Sequence, residues 1–186
     1  MQKVYIGGEL FTEAEVNQRV AEGEELKYLG YMVYNPIAND EINDKSGNPT
    51  NEEIFMQDMS EILSSDVVTA PIDNEDPGLM MELGMVLSGN LFMEAYKQME
   101  KELDEEALKI VRKYNPFKEI EINVIASDIR KPTAGDYSGI EVPKGYNQFV
   151  IGGLKTLGNS VFYNKFSELV EMLSARMNYF KKKGRE

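Results

Sequence analysis

Asp76-Pro77-Gly78-Leu79-Met80-Met81-Glu82-Leu83-Gly84 follows the apolar run Val67-Val68-Thr69-Ala70 and a short acidic loop. Asp is a favoured helix N-cap and Pro suits the first helical position, so a helix opens here just after a strand. At about 100° per residue, Leu79, Leu83 and Val86 share a face that should pack on a sheet. Gly78, Glu82, Met85 and Gly89 share a second face. Helical side chains lean toward the N-terminus, so Gly78, one turn earlier, would leave the Glu82 carboxylate open in a notch. From spacing alone, a solvated glutamate flanked by packing glycines fits the same pattern.

The neighbouring segments repeat this strand-then-helix order. Val4-Tyr5-Ile6 reads as a buried strand ending in the Gly7-Gly8 turn. Thr12 to Glu15 matches a capping box, opening a helix that glycine stops at Leu29-Gly30. Tyr31 to Tyr34 is a second strand, ended by Asn35-Pro36, and the polar stretch from Ala38 to Pro49 is a long loop of the kind that carries function. A second capping box, Thr50 to Glu53, opens a helix through Ile54, Phe55, Met59, Ile62 and Leu63. Asp66 to Ala70 is the third strand, Glu121 to Ala126 the fourth and Ser160 to Tyr163 the fifth. Helices are expected from Asn147 to Leu157 and from Asn164 to Lys183, the last with a basic end that suits the helix dipole. Past Gly89 the pattern changes to a charged helical stretch, Leu91 to Tyr114, with an apolar stripe at Met99, Leu103, Ala107 and Ile110. It reads as an insertion or a subunit contact.

Alternation of this kind predicts an α/β fold: a doubly wound, flavodoxin- or Rossmann-like, parallel five-stranded sheet with helices on both faces. The expectation is one domain over residues 1–186 with a charged helical insertion at about 91–119. Ligands of such sheets bind beyond the carboxyl ends of the strands at a topological switch point. The loops meeting there carry Gly7 and Gly8, Asn39 and Asp40, Asp73 to Asp76, and Asp128 to Arg130. The first turn lacks G-x-G-x-x-G, so a dinucleotide site is not supported.

Composition narrows the chemistry. The chain has 186 residues, a net charge of -12, and neither His nor Cys. Such charge repels nucleic acid and anionic membrane surfaces at long range. Disulfides, thiolate zinc sites and a Cys nucleophile are excluded, and no metal or cofactor is expected. A cytoplasmic location fits the missing cysteines, and neither a secretory leader nor a membrane span is expected. Acid–base or nucleophilic work falls to Asp, Glu, Tyr, Lys or a hydroxyl. Asp58 lies mid-helix, where a solvent-facing aspartate is the ordinary reading. Tyr5 sits in a core strand, and its hydroxyl needs a partner if buried.

Taken in order, the segments Val4-Tyr5-Ile6-Gly7-Gly8 with Leu10-Phe11-Thr12, Ile54-Phe55-x-x-Asp58, Asp66-Val67-Val68 and Asp76-x-Gly78-x-x-x-Glu82-x-Gly84 resemble the nucleoside 2-deoxyribosyltransferases. Asp128-Ile129-Arg130 and Tyr146 to Val150 are similar to part of that family. The resemblance spans nearly the whole chain except about 91–119. It implies transfer of 2-deoxyribose between nucleobases by a ping-pong route. Glu82 would be the nucleophile forming a glycosyl ester, Asp58 with Asp76 would handle the proton on the base, and Tyr5 would orient Glu82. Phe11 would line the sugar pocket and Asn39 or Asp40 the base pocket, with Gly8 and Gly78 also contacting substrate. Asn147 would reach a neighbouring subunit's site, which implies a homo-oligomer with shared sites, built on dimers, with a dimer and a hexamer both open. Partners would be 2′-deoxynucleosides and free nucleobases. Two other readings stand beside this one: an N-glycosidase hydrolysing nucleosides or their 5′-monophosphates, and a non-catalytic nucleotide-sensing domain.

Overall fold

The computed structural model describes residues 1–39, 49–127, 136–137, 140–141, 146–157 and 160–184. Strands β1 (Lys3–Ile6), β2 (Met32–Tyr34), β3 (Val67–Pro71), β4 (Glu121–Ile125) and β7 (Ser160–Tyr163) form one sheet in the order β2-β1-β3-β4-β7. All four pairings are parallel. The expected doubly wound sheet is therefore present, and its order reverses between β1 and β3, which makes that crevice the switch point. A two-residue ladder, β5 (Asp136–Tyr137) with β6 (Ile140–Glu141), lies where the sequence suggested only a polar loop.

Among the described residues six α-helices accompany the sheet: α1 (Glu13–Leu29), α2 (Asn51–Ser64), α3 (Pro77–Glu102), α4 (Glu105–Tyr114), α5 (Gln148–Thr156) and α6 (Phe166–Lys183). Both expected capping boxes are formed, at Thr12 with Glu15 and at Thr50 with Glu53. Gly30 ends α1 in the left-handed region at φ 98°, a conformation that favours glycine. The sheet is covered on both faces. Tyr5, Val68, Ala70, Ile122 and Val124 face Ile62 of α2, Leu79, Leu83 and Val86 of α3, and Ile151 and Leu154 of α5. Val4, Ile6, Val67 and Ile125 face Leu26 of α1 and Leu169 and Leu173 of α6. Strand alternation thus sends Tyr5 to the α2–α3–α5 side, away from its neighbours Val4 and Ile6.

The charged stretch departs from the sequence reading. Gly89 does not divide two helices: α3 runs unbroken from Pro77 to Glu102, and the break comes at Leu103, with Asp104 capping α4. The expected stripe is not the packed face either, because Leu103 and Ile110 are exposed while Tyr96 and Leu108 are buried. Gly89 is where the side of α3 meets Phe117: a Cβ added there would stand 2.9 Å from the ring. None of the described helices is long and apolar enough to cross a membrane.

Candidate active site

Gly7 sets the geometry. Its N–H donates to the Thr69 carbonyl at 2.9 Å, which extends the β1–β3 pairing past Ile6. A Cβ at Gly7 would stand 2.6 Å from Leu79 Cδ1, so only glycine lets the first turn of α3 rest on the end of β1. With α3 seated there, its second turn brings Glu82 over Tyr5. The Tyr5 hydroxyl donates to Glu82 Oε1 at 2.7 Å, and Tyr5 itself is fully buried. Asp76 caps α3 as expected, its Oδ1 accepting from the Leu79 N–H at 2.8 Å.

A second tyrosine completes the arrangement. Tyr34 is the in-register partner of Tyr5 across β1 and β2, and the two rings stack with centroids 5.6 Å apart and planes 18° apart. The Tyr34 hydroxyl donates to Asp58 Oδ1 at 3.1 Å and accepts from Asn39 Nδ2 at 3.0 Å. Two carboxyl groups from two helices are therefore each held by a tyrosine from adjacent strands. Glu82 and Asp58 are both partly buried.

Burial shapes their protonation. Loss of solvent pushes Glu82 up to about 7, the charges of Asp58 and Asp76 add to this, and the Tyr5 hydrogen bond opposes it. Asp58 is also raised, first by burial and then by Glu61, against the opposing bond from Tyr34. Tyr5 lies well above the usual phenol range because it is buried beside Glu82. Tyr34 is pushed up to about 12, again chiefly by burial. Both phenols stay protonated at neutral pH and so serve as donors.

Of the residues singled out by sequence, Glu82, Tyr5, Asp58, Asp76 and Asn39 come together at the carboxyl ends of β1 to β3. Gly8 lies there too, at φ 140°, with the Arg19 guanidinium packed beneath it. Gly78 does not open the notch: a Cβ there would face Asp76 Oδ1 at 3.1 Å, and it is Gly7 that stands beside Glu82. The reason is that Glu82 points down onto β1, not back along its own helix. Phe11 is 83% exposed at the entrance to α1. Asn147 caps α5 through the Phe149 N–H, and its own N–H donates to Glu75 in the loop that leads into α3. Asp40, and Asp128 to Arg130, fall outside the described residues. Sequence reading missed Gly7 as the seat of α3 and missed Tyr34 altogether. The signal for Tyr34 was present: Val4-Tyr5 and Val33-Tyr34 occupy matching places in two strands that pair in parallel.

A family model described as nucleoside 2-deoxyribosyltransferase matches residues 4–143. The chain is 36% identical over 93 residues to an uncharacterised protein of Ureaplasma parvum serovar 3, a match covering 44% of this chain and 57% of that protein. Among solved structures, a conserved protein from Enterococcus faecalis superposes with a TM-score of 0.64 at 22% identity, covering 95% of this chain and 99% of that one. The CMP N-glycosidase of Clostridium botulinum superposes with a TM-score of 0.53 at 13% identity, covering 94% of this chain and 99% of that one. At those identities the structural likeness speaks for the fold.

Proposed function

The chain belongs to the nucleoside 2-deoxyribosyltransferase family, and from that premise we propose that it moves 2-deoxyribose between nucleobases with Glu82 as nucleophile. The observation that carries this reading is the Tyr5–Glu82 hydrogen bond at the switch point, with the Asp58 carboxyl beside it across the tyrosine stack. Glu82 attacks C1′ of a 2′-deoxynucleoside and forms an ester bond to it. The C1′–N bond breaks, and Asp58 gives its proton to the departing base nitrogen. A second base then attacks C1′, the ester bond breaks, and the incoming nitrogen returns its proton to Asp58. Two inversions give net retention. A carboxylate suits the first step because it opposes the positive charge that develops on the sugar. A base lying over Asp58 would desolvate it further and raise its pKa, so that Asp58 holds the proton while ionised Glu82 attacks.

We assign Asp76 and Asn39, with Asp40 from the sequence, to the base side and Phe11 to the sugar, with Gly8 and Gly78 as further substrate contacts. Asn147 is assigned to the site of a second copy, within a homo-oligomer built on dimers. Residues 91–119 are taken as an insertion in a single domain. Hydrolysis is the competing outcome, with water in place of the second base. For a 5′-phosphate the site is poorly charged. The N-terminus of α3, where phosphate commonly binds, is occupied by the Asp76 carboxylate, and Glu9 and Glu75 lie on the adjoining loops.

The test is base exchange between deoxyinosine and free adenine, followed by chromatography. Wild type should yield deoxyadenosine, and Glu82→Ala should yield none while unfolding cooperatively. Mass spectrometry of the wild type with deoxyinosine should find a deoxyribosyl adduct on Glu82. Exchange retained in Glu82→Ala would remove Glu82 from the mechanism. Release of hypoxanthine and free sugar without deoxyadenosine would make the protein a hydrolase.

A further inference from the structure

Tyr34 has no part in the scheme above, yet it is the residue through which the two halves of the site touch. Its ring lies on Tyr5, which holds Glu82, and its hydroxyl lies on Asp58. The direction of its hydrogen bonds is settled by Asn39. An amide nitrogen can only donate, so Asn39 Nδ2 takes a lone pair of the Tyr34 oxygen and leaves the phenolic hydrogen for Asp58 Oδ1.

We propose that Tyr34 is a positioning residue for the proton donor: by occupying Asp58 Oδ1 it directs the acidic proton to Oδ2 and then stabilises the carboxylate left after transfer. The inference rests on the reading of Glu82 as nucleophile and Asp58 as acid. An oxygen that already accepts a hydrogen bond is the poorer site for a proton, so protonated Asp58 presents its O–H from Oδ2. When the C1′–N bond breaks, that proton moves to the base nitrogen and the electron pair stays on Asp58. The Tyr34 O–H···Oδ1 bond then becomes charge-assisted and stronger. Tyr34 thus acts in the transition state more than in the ground state, which is where an interaction must act to raise kcat. Among the described residues, the ionisable groups facing Asp58 are Tyr34 from β2, Tyr5 from β1, Glu82 from α3, and Glu61 on its own helix, the last paired with Lys3. Among the described residues, the bond from Tyr34 favours ionised Asp58, while burial and Glu61 oppose it.

The decisive variant is Tyr34→Phe, which keeps the ring on Tyr5 and deletes the hydroxyl. Two substrates are compared, deoxyadenosine and para-nitrophenyl 2-deoxyriboside, whose phenolate departs without a proton. For deoxyadenosine, kcat should fall on the order of ten- to hundredfold with KM little changed, a share of what general acid catalysis supplies. The aryl substrate should lose less than about threefold if only proton transfer is impaired. The alkaline limb of the deoxyadenosine profile should also move to higher pH, because Asp58 has lost the donor that favoured its ionised form. Equal losses on both substrates, or an unmoved alkaline limb, would overturn the proposal. Should Tyr34→Phe fail to fold, Asn39→Ala leaves Tyr34 in place but removes its orientation. It should show the same leaving-group dependence at smaller size, and a loss that is equal on both substrates would again overturn the proposal. A wild type inert toward both substrates defeats the reading of the site and this inference with it. An active wild type with an indifferent Tyr34→Phe defeats this inference alone.

Discussion

At the scale of single residues, the site is a problem of where one proton sits. Two carboxyls within reach of one another, both partly withdrawn from water, do not ionise together as easily as either would alone. Glu82 is held up to about 7. The nucleophile must be ionised, so kcat/KM for a deoxynucleoside, which reports the free enzyme, should rise as pH increases through about 7. The sign follows from the raised value: below it Glu82 carries a proton and lacks the negative charge that makes it a nucleophile, above it the attacking form dominates. A rate profile measured from pH 5 to pH 9 checks this, and a rising limb near the ordinary carboxylate range of about 4 would contradict the buried environment inferred for Glu82. Tyr5 is the second half of this argument. Its hydroxyl is the contact that favours ionised Glu82, so it orients the nucleophile and makes its ionisation easier.

At the scale of elements, α3 does most to build the site, and its glycines have opposite roles. In a helix interior Gly costs about 1 kcal/mol relative to Ala. At Gly84 a Cβ would meet nothing within 4 Å, so Gly84→Ala should stabilise the chain by up to about 1 kcal/mol. At Gly89 the same change drives a Cβ to 2.9 Å from the Phe117 ring. Overpacking of that kind costs about 1–3 kcal/mol, which exceeds the gain in propensity, so Gly89→Ala should destabilise. Urea unfolding of both variants beside wild type decides the matter, and equal shifts in the same direction would show that packing against Phe117 is not what the glycine serves. Read along the chain, Gly89 only marks where the pattern turns charged; in the fold it is a clearance for an aromatic 28 positions later. The caps were legible because they are local: Thr12, Thr50 and Asp76 each satisfy N–H groups within three residues.

At the scale of the whole molecule, charge and exposed apolar surface pull in opposite directions. Met81 and Leu91 on α3 are 59% and 52% exposed, and Phe149 on α5 is 90% exposed. A groove of about 270 Å³ between these helices is lined by Leu83, Leu87, Leu91, Phe149, Val150 and Leu157. Apolar surface gathered in this way suits the proposed self-association. With a net charge of -12, copies repel one another, and salt screens that repulsion. Sedimentation velocity should therefore show a species heavier than the 21.1 kDa chain, strengthened by added salt and lost in the double variant Leu91→Glu with Phe149→Glu. A monomer at every salt and protein concentration would end the proposal of shared sites. By itself, the sequence determined the alternation of strands and helices, the parallel sheet, the caps, and the candidacy of Glu82, Asp58 and Tyr5. These follow from hydrophobic period, from hydrogen bonds spanning three or four residues, and from ordered motifs. Tertiary structure alone decided that Gly7 seats α3, that α3 continues past Gly89, and that Tyr34 lies on Tyr5 and Asp58. Each of those facts depends on atoms brought together from distant parts of the chain, where neither spacing nor propensity carries information until the strands have paired.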